Sequence, residues 1–271
     1  MKALVAALVW LALGTGTVVA RAEPLVTTDQ LFAQATSALE RGSFEEAIDL
    51  FEALSDRGLV HPDASFDRAV AYLERARSPQ TRPGDLGQAA AALSEVLLMR
   101  PDDAEAEVGL ERVRAELGRR RVREGGSPLI ARPSLPRAIV GLVSESVWLL
   151  VAALGSSLVT VGLALRGFVT RSTWRLGGGV SVTVGLLLLL SGGGLGALGG
   201  AYRRGSEPAV VVVRETRLGG DQGVASPGTS NVIPEGATVY VLERRGAQSR
   251  AEWGTRRGWV PSHELRVLRH P

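Results

Sequence analysis

Two long apolar runs dominate the hydrophobic pattern of the chain, at residues 147–165 and 176–201. Each run has roughly the 20 apolar residues that a helix needs to cross about 30 Å of hydrocarbon. The segment between the runs is too short to be a domain, so the two helices are expected to form a hairpin. The pattern therefore predicts membrane spans at 138–165 and 176–202, joined by a cytoplasmic loop at 166–175, with both flanking regions on one membrane face.

The N-terminus has the pattern of a secretory signal peptide. Lys2 precedes a short apolar core, and the small residues Ala20 and Ala22 form a cleavage-type site. We expect a signal peptide over residues 1–22, cleaved after Ala22; an uncleaved membrane anchor is the alternative. Either form exports the residues that follow. Arginines flank both ends of the apolar runs, so it is the signal peptide, and not the charges, that predicts an extracytoplasmic position for both soluble regions.

Apolar residues recur three and four positions apart across residues 27–123, which predicts five amphipathic helices. Within them, the spacing Gly-x-Phe-x-x-Ala-x-x-x-Phe returns about 40 residues later as Gly-x-Leu-x-x-Ala-x-x-x-Leu. This pattern resembles the tetratricopeptide repeat, a helix–turn–helix unit of 34 residues; an ordinary helical bundle is the alternative. The positions that carry the resemblance are Gly42, Phe44, Ala47, Phe51, Tyr72, Gly84, Ala89, Leu93 and Pro101.

The predicted repeat region is short. Two repeats bury little apolar surface, and about three are usually needed for stability, so the fifth helix is expected to act as a cap. Repeats of this kind bind partners on a concave surface and carry no catalytic groups of their own. The resemblance therefore implies a scaffold for protein partners.

A Gly/Pro/Arg-rich linker at 124–137 precedes the first span, and residues 208–271 have a β pattern. Short alternating strands joined by glycine-containing turns predict a small barrel there. A Pro-Glu-Gly-Ala motif before one strand and a Gly-Trp-Val-Pro motif near the end resemble a bacterial SH3-type domain. The residues of this expected motif are Gly236, Tyr240, Trp253, Gly258, Trp259 and Pro261.

The second span carries Gly192, Gly196 and Gly200 on one helical face, a spacing that allows close helix approach. The partner helix is either the first span, through Ala152, Gly155 and Ser156, or a helix of another protein. A Gly-x-Gly-x-x-Gly match in the same span lacks the strand and helix of a dinucleotide-binding unit, so we reject it.

Composition narrows the chemistry. The formal net charge is only +3, and the arginines cluster beside apolar segments, which favours a membrane flank over nucleic-acid binding. The chain has no cysteine, and its three histidines lack metal-ligand spacing, so we expect neither a zinc site nor a thiol nucleophile. With no nucleophile–base pair or phosphate loop in the sequence, we expect a protein that is not an enzyme and holds no cofactor.

The whole order of elements resembles the BatE proteins of bacterial aerotolerance operons. That order is a signal peptide, an all-α repeat domain, a transmembrane α-hairpin and a small all-β SH3-like barrel. The resemblance implies a bacterial inner-membrane adaptor with periplasmic domains, working beside von Willebrand factor A-domain membrane proteins and a MoxR-type ATPase. The alternative is an anchor or sensor that binds peptidoglycan through the SH3-type domain.

Overall fold

The structure is a computed structural model that describes residues 27–124, 138, 144–168, 172–220 and 231–269. The expected signal peptide and nearly all of the expected linker lie outside the described residues.

The N-terminal region is helical. Its helices are α1 (Thr28–Glu40), α2 (Phe44–Asp56), α3 (Pro62–Arg77), α4 (Asp85–Met99) and α5 (Ala104–Arg123), each packed on the next along the chain. In α1, α2, α3 and α5 the buried residues recur at three- and four-residue spacing, which gives each of these helices one buried face. Helix α4 is instead buried on nearly all sides between Asp85 and Val96, because it packs against α3, α5 and the sheet. The five predicted helices are present in this order.

Local sequence explains where these helices begin. The Thr27 hydroxyl accepts a hydrogen bond from the Gln30 N–H, and the Gln30 side chain accepts one from the Thr27 N–H, so α1 starts in a capping box. At α3, Pro62 occupies the first turn, where its missing N–H costs nothing. The Asp103 carboxylate caps α5 by accepting from the Ala106 N–H at 3.0 Å.

Two apolar helices follow, α6 (Glu145–Phe168) and α7 (Ser172–Arg204), packed side by side along their length. Both are long and apolar enough to cross a membrane. They extend further toward each other than the loop expected at 166–175. The segment contains no proline, so its sequence permits helical hydrogen bonding at both described ends.

The C-terminal region is an antiparallel sheet followed by residues that return to the helices. A five-stranded sheet has the order β6-β5-β4-β1-β7, and β2 pairs with β3 in a separate two-stranded sheet. A 3-10 turn at Ser262–Glu264 precedes β7. The strands are β1 (Glu207–Val211), β2 (Glu215–Arg217), β3 (Val232–Pro234), β4 (Thr238–Arg245), β5 (Gln248–Trp253), β6 (Arg256–Pro261) and β7 (Leu265–Val267).

The expectation of a closed small barrel was wrong. Among the described residues, β6 and β7 form the two edges of the main sheet and do not pair with each other. The edge strand β7 is only three residues long, and the chain beyond it turns onto the helical region, where Leu268 is buried in the helical core. On its outer edge β6 makes an isolated antiparallel bridge, between Trp259 and Gly219.

The strand β1 belongs to two cores at once. Successive side chains of a strand point to opposite faces. Ala209 and Val211 pack in the core of the sheet, whereas Val210 and the following Val212 pack in the core of the helical region. This double burial explains the unbroken apolar run at the start of the sheet. The repeat region and the sheet therefore form one packed unit.

Candidate protein-interaction site

An open groove of about 560 Å³ lies between α3 and α5. Its apolar lining includes Phe66, Val70 and Leu73, which are half-buried, and Val108, which is 44% exposed. An amphipathic helix is expected to bury such apolar residues in the core. The three α3 residues instead line this groove, because no further helix is packed against that face in the described residues.

Helix α4 forms the floor of the groove. Leu93 lies at its base, and a Cβ on Gly109 of α5 would come within 3.3–3.4 Å of the Leu93 methyl groups. The missing side chain at Gly109 therefore lets α5 approach α4 closely.

The rim of the groove carries both signs of charge. Glu74 and Arg77 form an exposed ion pair of 2.9 Å on α3, and Glu105 and Arg112 lie on the α5 side. Exposed ion pairs contribute little to stability, so these side chains can exchange partners at low cost. The groove combines an apolar floor with a polar rim, which is the general make-up of a protein-interaction surface.

The predicted repeat positions fall in two groups. The first group lies in or beside the turns. Gly42 and Gly84 adopt positive φ in the turns before α2 and α4. Phe44 is half-buried at the start of α2, and Pro101 is exposed in the turn before α5. The others lie in the helical core, where Phe51 makes an edge-to-face contact with Phe32. These buried positions are Ala47, Phe51, Tyr72, Ala89 and Leu93.

Two buried ion pairs hold α3 against α4, and the sequence pattern did not predict them. Arg68 pairs with Glu95, and Arg75 pairs with Asp85 through contacts of 2.6 Å and 3.2 Å. All four side chains are less than a tenth exposed. Removing one partner would leave an uncompensated buried charge, which is strongly destabilising. The pairs therefore fix how α3 and α4 pack against each other.

A polar network joins the helical region to β7. The Glu52 carboxylate on α2 accepts a hydrogen bond from the Tyr72 hydroxyl at 3.0 Å and one from Arg266 at 2.7 Å. Burial and the neighbouring Glu52 carboxylate raise the pKa of the Tyr72 phenol, so it stays neutral and donates. Arg269, just beyond β7, donates to the Ser55 hydroxyl at 2.8 Å.

Two glycines at the start of α4 allow β1 to dock. Gly84 has φ +92°, and a Cβ there would overlap the Val212 carbonyl oxygen. A Cβ on Gly87 would lie 2.7 Å from the Val211 carbonyl oxygen. The Gly87 N–H also donates to the Glu235 carboxylate at 2.8 Å. The turn glycine singled out by the repeat pattern is thus also a domain-contact residue, which its spacing alone does not reveal.

The expected SH3-type motif residues lie together in the sheet but do not form an open aromatic groove. Trp253 and Trp259 are 5% and 8% exposed, and Arg245 stacks over the Trp259 ring at 5.2 Å. Gly258 lies too close to Gly219 and Leu218 to carry a side chain, and Gly236 has φ +74° and lies against Leu117 of α5. Tyr240 is half-buried, and Pro261 precedes the 3-10 turn. Buried tryptophans cannot stack on a polyproline ligand, so the sheet offers no such surface through them.

The glycines of α7 differ in how closely they approach α6. A Cβ on Gly192 would lie 2.7 Å from the Ala152 nitrogen, and one on Gly196 would lie 3.6 Å from the Trp148 Cβ. Gly200 has only the Arg204 side chain nearby. Contacts to α6 as close as that of Gly192 occur at two glycines earlier in α7, Gly178 at 2.8 Å and Gly185 at 2.7 Å, which the predicted four-residue spacing missed. These two and Gly192 recur every seven residues, the period that keeps one helical face toward a neighbouring helix.

Among the described residues, no group of three or more His, Cys, Asp or Glu is placed to hold a metal ion.

Comparison with known proteins gives one family. Residues 32–80 match the tetratricopeptide repeat family. This segment covers most of α1, all of α2 and α3, and the start of the turn after α3. No curated protein and no solved structure was found to match the chain. The matched region thus resembles a repeat family whose members typically serve as protein-interaction scaffolds and are typically non-catalytic, which suggests a scaffold role.

Proposed function

We propose that this protein is a non-catalytic, membrane-anchored adaptor that holds protein partners in the groove between α3 and α5. The observation that carries the proposal is the partly exposed apolar lining of that groove, whose α3 side lies in the region that matches a repeat family of binding scaffolds. The two long apolar helices α6 and α7 support the anchor. The bound partner is a protein segment with two or three apolar side chains that fill the groove between its charged rims.

A matched pair of valines on α5 tests the groove. Val108 lines it and is 44% exposed, whereas Val122 lies outside it and is 61% exposed. A photo-crosslinking residue at position 108 of the full chain, in its native membranes, is expected to capture a protein partner. The same residue at position 122 is expected to capture far less. Adding Phe66→Glu to the position-108 protein should abolish capture, because a buried unpaired charge opposes docking.

Two results would overturn the groove assignment: equal capture at positions 108 and 122, or capture that survives Phe66→Glu. Circular dichroism of each purified variant checks that the helices remain folded, since Phe66 is only half-buried.

In its finer form the proposal places the adaptor in a bacterial inner membrane, with both soluble regions in the periplasm. The signal-peptide pattern at the N-terminus and the short hairpin support this orientation. The resemblance to BatE proteins makes von Willebrand factor A-domain membrane proteins and a MoxR-type ATPase system the expected neighbours. Peptidoglycan binding through the SH3-type region stays the alternative.

The orientation is testable because the natural chain has no cysteine. Single variants Glu40→Cys and Arg217→Cys place a thiol at an exposed position in the helical region and in the sheet. Both are expected to react with a membrane-impermeant maleimide in spheroplasts whose inner membrane is intact. Labelling that appears only after lysis would place both regions in the cytoplasm and refute the periplasmic proposal.

A further inference from the structure

The groove between α3 and α5 is bordered on its α5 side by three exposed residues, Glu105, Val108 and Arg112. They are three and four positions apart, so they lie on one face of the helix. We propose that this face seats α5 of a second copy of the chain, so that the segment held in the groove belongs to another molecule of the same protein. The inference rests on the docking role proposed above for the groove.

The charges on this face are self-complementary. Glu105 and Arg112 are seven positions apart, about 10.5 Å along the helix, with Val108 and Gly109 midway between them. A two-fold axis through that midpoint reverses the direction of α5. Glu105 of each copy then lies opposite Arg112 of the other, and the same contact occurs twice. Opposite charges arranged in this way fix the register and the orientation of the two helices.

The two side chains are available for such contacts. Among the described residues, neither Glu105 nor Arg112 forms an ion pair, and their separation of two turns is too long for a pair within one helix. Further along α5, by contrast, Glu116 pairs with Arg119 at 2.7 Å. The groove face of α5 therefore offers one charge of each sign to a second molecule.

The apolar surface of the groove provides the attraction. Val108 is 44% exposed, and Ala104 is also exposed on the same side. When a second α5 lies over the groove, the two-fold axis places the first α5 over the matching groove of the second copy. Each Val108 then contacts the half-buried Phe66 and Val70 of the other molecule. Burying these side chains away from water stabilises the pair, and the small Ala104 leaves room for the approach.

The shortness of the repeat region favours a second copy as the occupant. About three stacked repeats are usually needed for stability, whereas residues 27–124 provide two helix pairs and the single helix α5. Each repeat in such a protein packs against its neighbours, so the open end of one short stack is a surface of the kind that packs on another. Pairing through α5 joins two short stacks into one longer stack.

The test measures the dissociation constant of the dimer by native mass spectrometry of the full chain in a neutral detergent. The wild type is expected to form a dimer. Glu105→Arg alone and Arg112→Glu alone should each raise the dissociation constant about 30-fold, because two attractive contacts become repulsive at once. A mixture of the two variants should recover wild-type affinity in the mixed dimer, which differs in mass from both parent dimers. There, each introduced side chain faces the oppositely charged one of the other variant, and the native Arg112 faces the native Glu105.

Glu107→Arg is the matched control. Glu107 is exposed in the first turn of α5, as Glu105 is, but it does not line the groove. The substitution makes the same charge change near the same helix N-terminus, so this variant should dimerise as the wild type does.

A monomeric wild type, a Glu105→Arg dimer as tight as the wild type, an equal loss in Glu107→Arg, or a mixture no tighter than its parents would each overturn the proposal. The photo-crosslinking residue at position 108 distinguishes this failure from a failure of the groove. Capture of a different protein in place of a second copy refutes self-association and leaves the proposed function standing. No capture at all refutes both.

Discussion

Replacing Gly84 by alanine is expected to separate the sheet from the helical region. This residue caps α4 with φ +92°, a backbone conformation that side-chain-bearing residues rarely adopt. The position where its Cβ would stand is occupied by the Val212 carbonyl oxygen. Because backbone atoms cannot rotate out of the way, either β1 or the start of α4 must move.

The cost has two parts, and a matched control separates them. The left-handed conformation costs an alanine about 1–2 kcal/mol relative to glycine. Overlap with packed neighbours costs about 1–3 kcal/mol more. Gly58, in the turn after α2, has φ +82° and no atom within 4 Å of its Cβ position. Gly58→Ala therefore carries the first cost alone, and the docking term is the difference, about 1–3 kcal/mol.

Hydrogen exchange by mass spectrometry reads this difference locally. The Val211 N–H donates to the Ala237 carbonyl and the Val212 N–H donates to the Glu264 carbonyl, each at 3.0 Å, so both amides report on the docked end of β1. In Gly84→Ala they should exchange about 5- to 150-fold faster than in Gly58→Ala, since 1.4 kcal/mol is a factor of ten. Equal exchange at these two amides in both variants would refute the reasoning.

Three further predictions concern other contacts. Tyr72→Phe should lower the free energy of urea unfolding by about 1.5–3 kcal/mol, because it removes the hydrogen bond to the charged Glu52 carboxylate. Burial raises the pKa of Glu235, so the folded state favours its protonated form. The melting temperature should therefore fall as pH rises from about 4.5 through that raised pKa, and Glu235→Gln should lessen the fall. The pair Trp148→Cys and Gly196→Cys should form a disulfide in mild oxidant, seen as a mobility shift on gels, because the two Cβ positions are 3.6 Å apart.

Control variants are available for the disulfide and pH predictions. Gly193 has no atom within 4 Å of its Cβ position, so Gly193→Cys combined with Trp148→Cys should stay reduced. Glu215 is exposed, and Glu215→Gln should leave the pH dependence unchanged. An unchanged pH profile in Glu235→Gln, or wild-type unfolding of Tyr72→Phe, would contradict the roles assigned to these side chains.

Much of the helical region could be predicted because its pattern is local. Apolar and small residues recur at helical spacing, so the burial of Ala47, Phe51, Ala89 and Leu93 follows from the sequence. The groove could not be read in the same way. Phe66 continues the apolar pattern of α3, and a pattern does not say whether another helix covers its residue.

The contact between the two regions escaped prediction because it joins distant parts of the chain. Glu52 and Arg266 are 214 positions apart, and each looks like an ordinary surface charge in its own segment. The open sheet was missed for a related reason. Strand spacing predicts short strands and turns but not that the chain after β7 leaves the sheet for the helices.

The double role of β1 has a consequence for biosynthesis. The ribosome completes the helical region long before it reaches Val210, Val212 and Leu268, the three sheet-side residues that finish the helical core. Until they emerge from the ribosome, the growing chain exposes the apolar surface that they later cover. The hairpin of α6 and α7 must also be synthesised before them, because it precedes β1 in the chain. The first domain to be made is thus the last to mature, and a chain that stopped before Leu268 would leave its core incomplete.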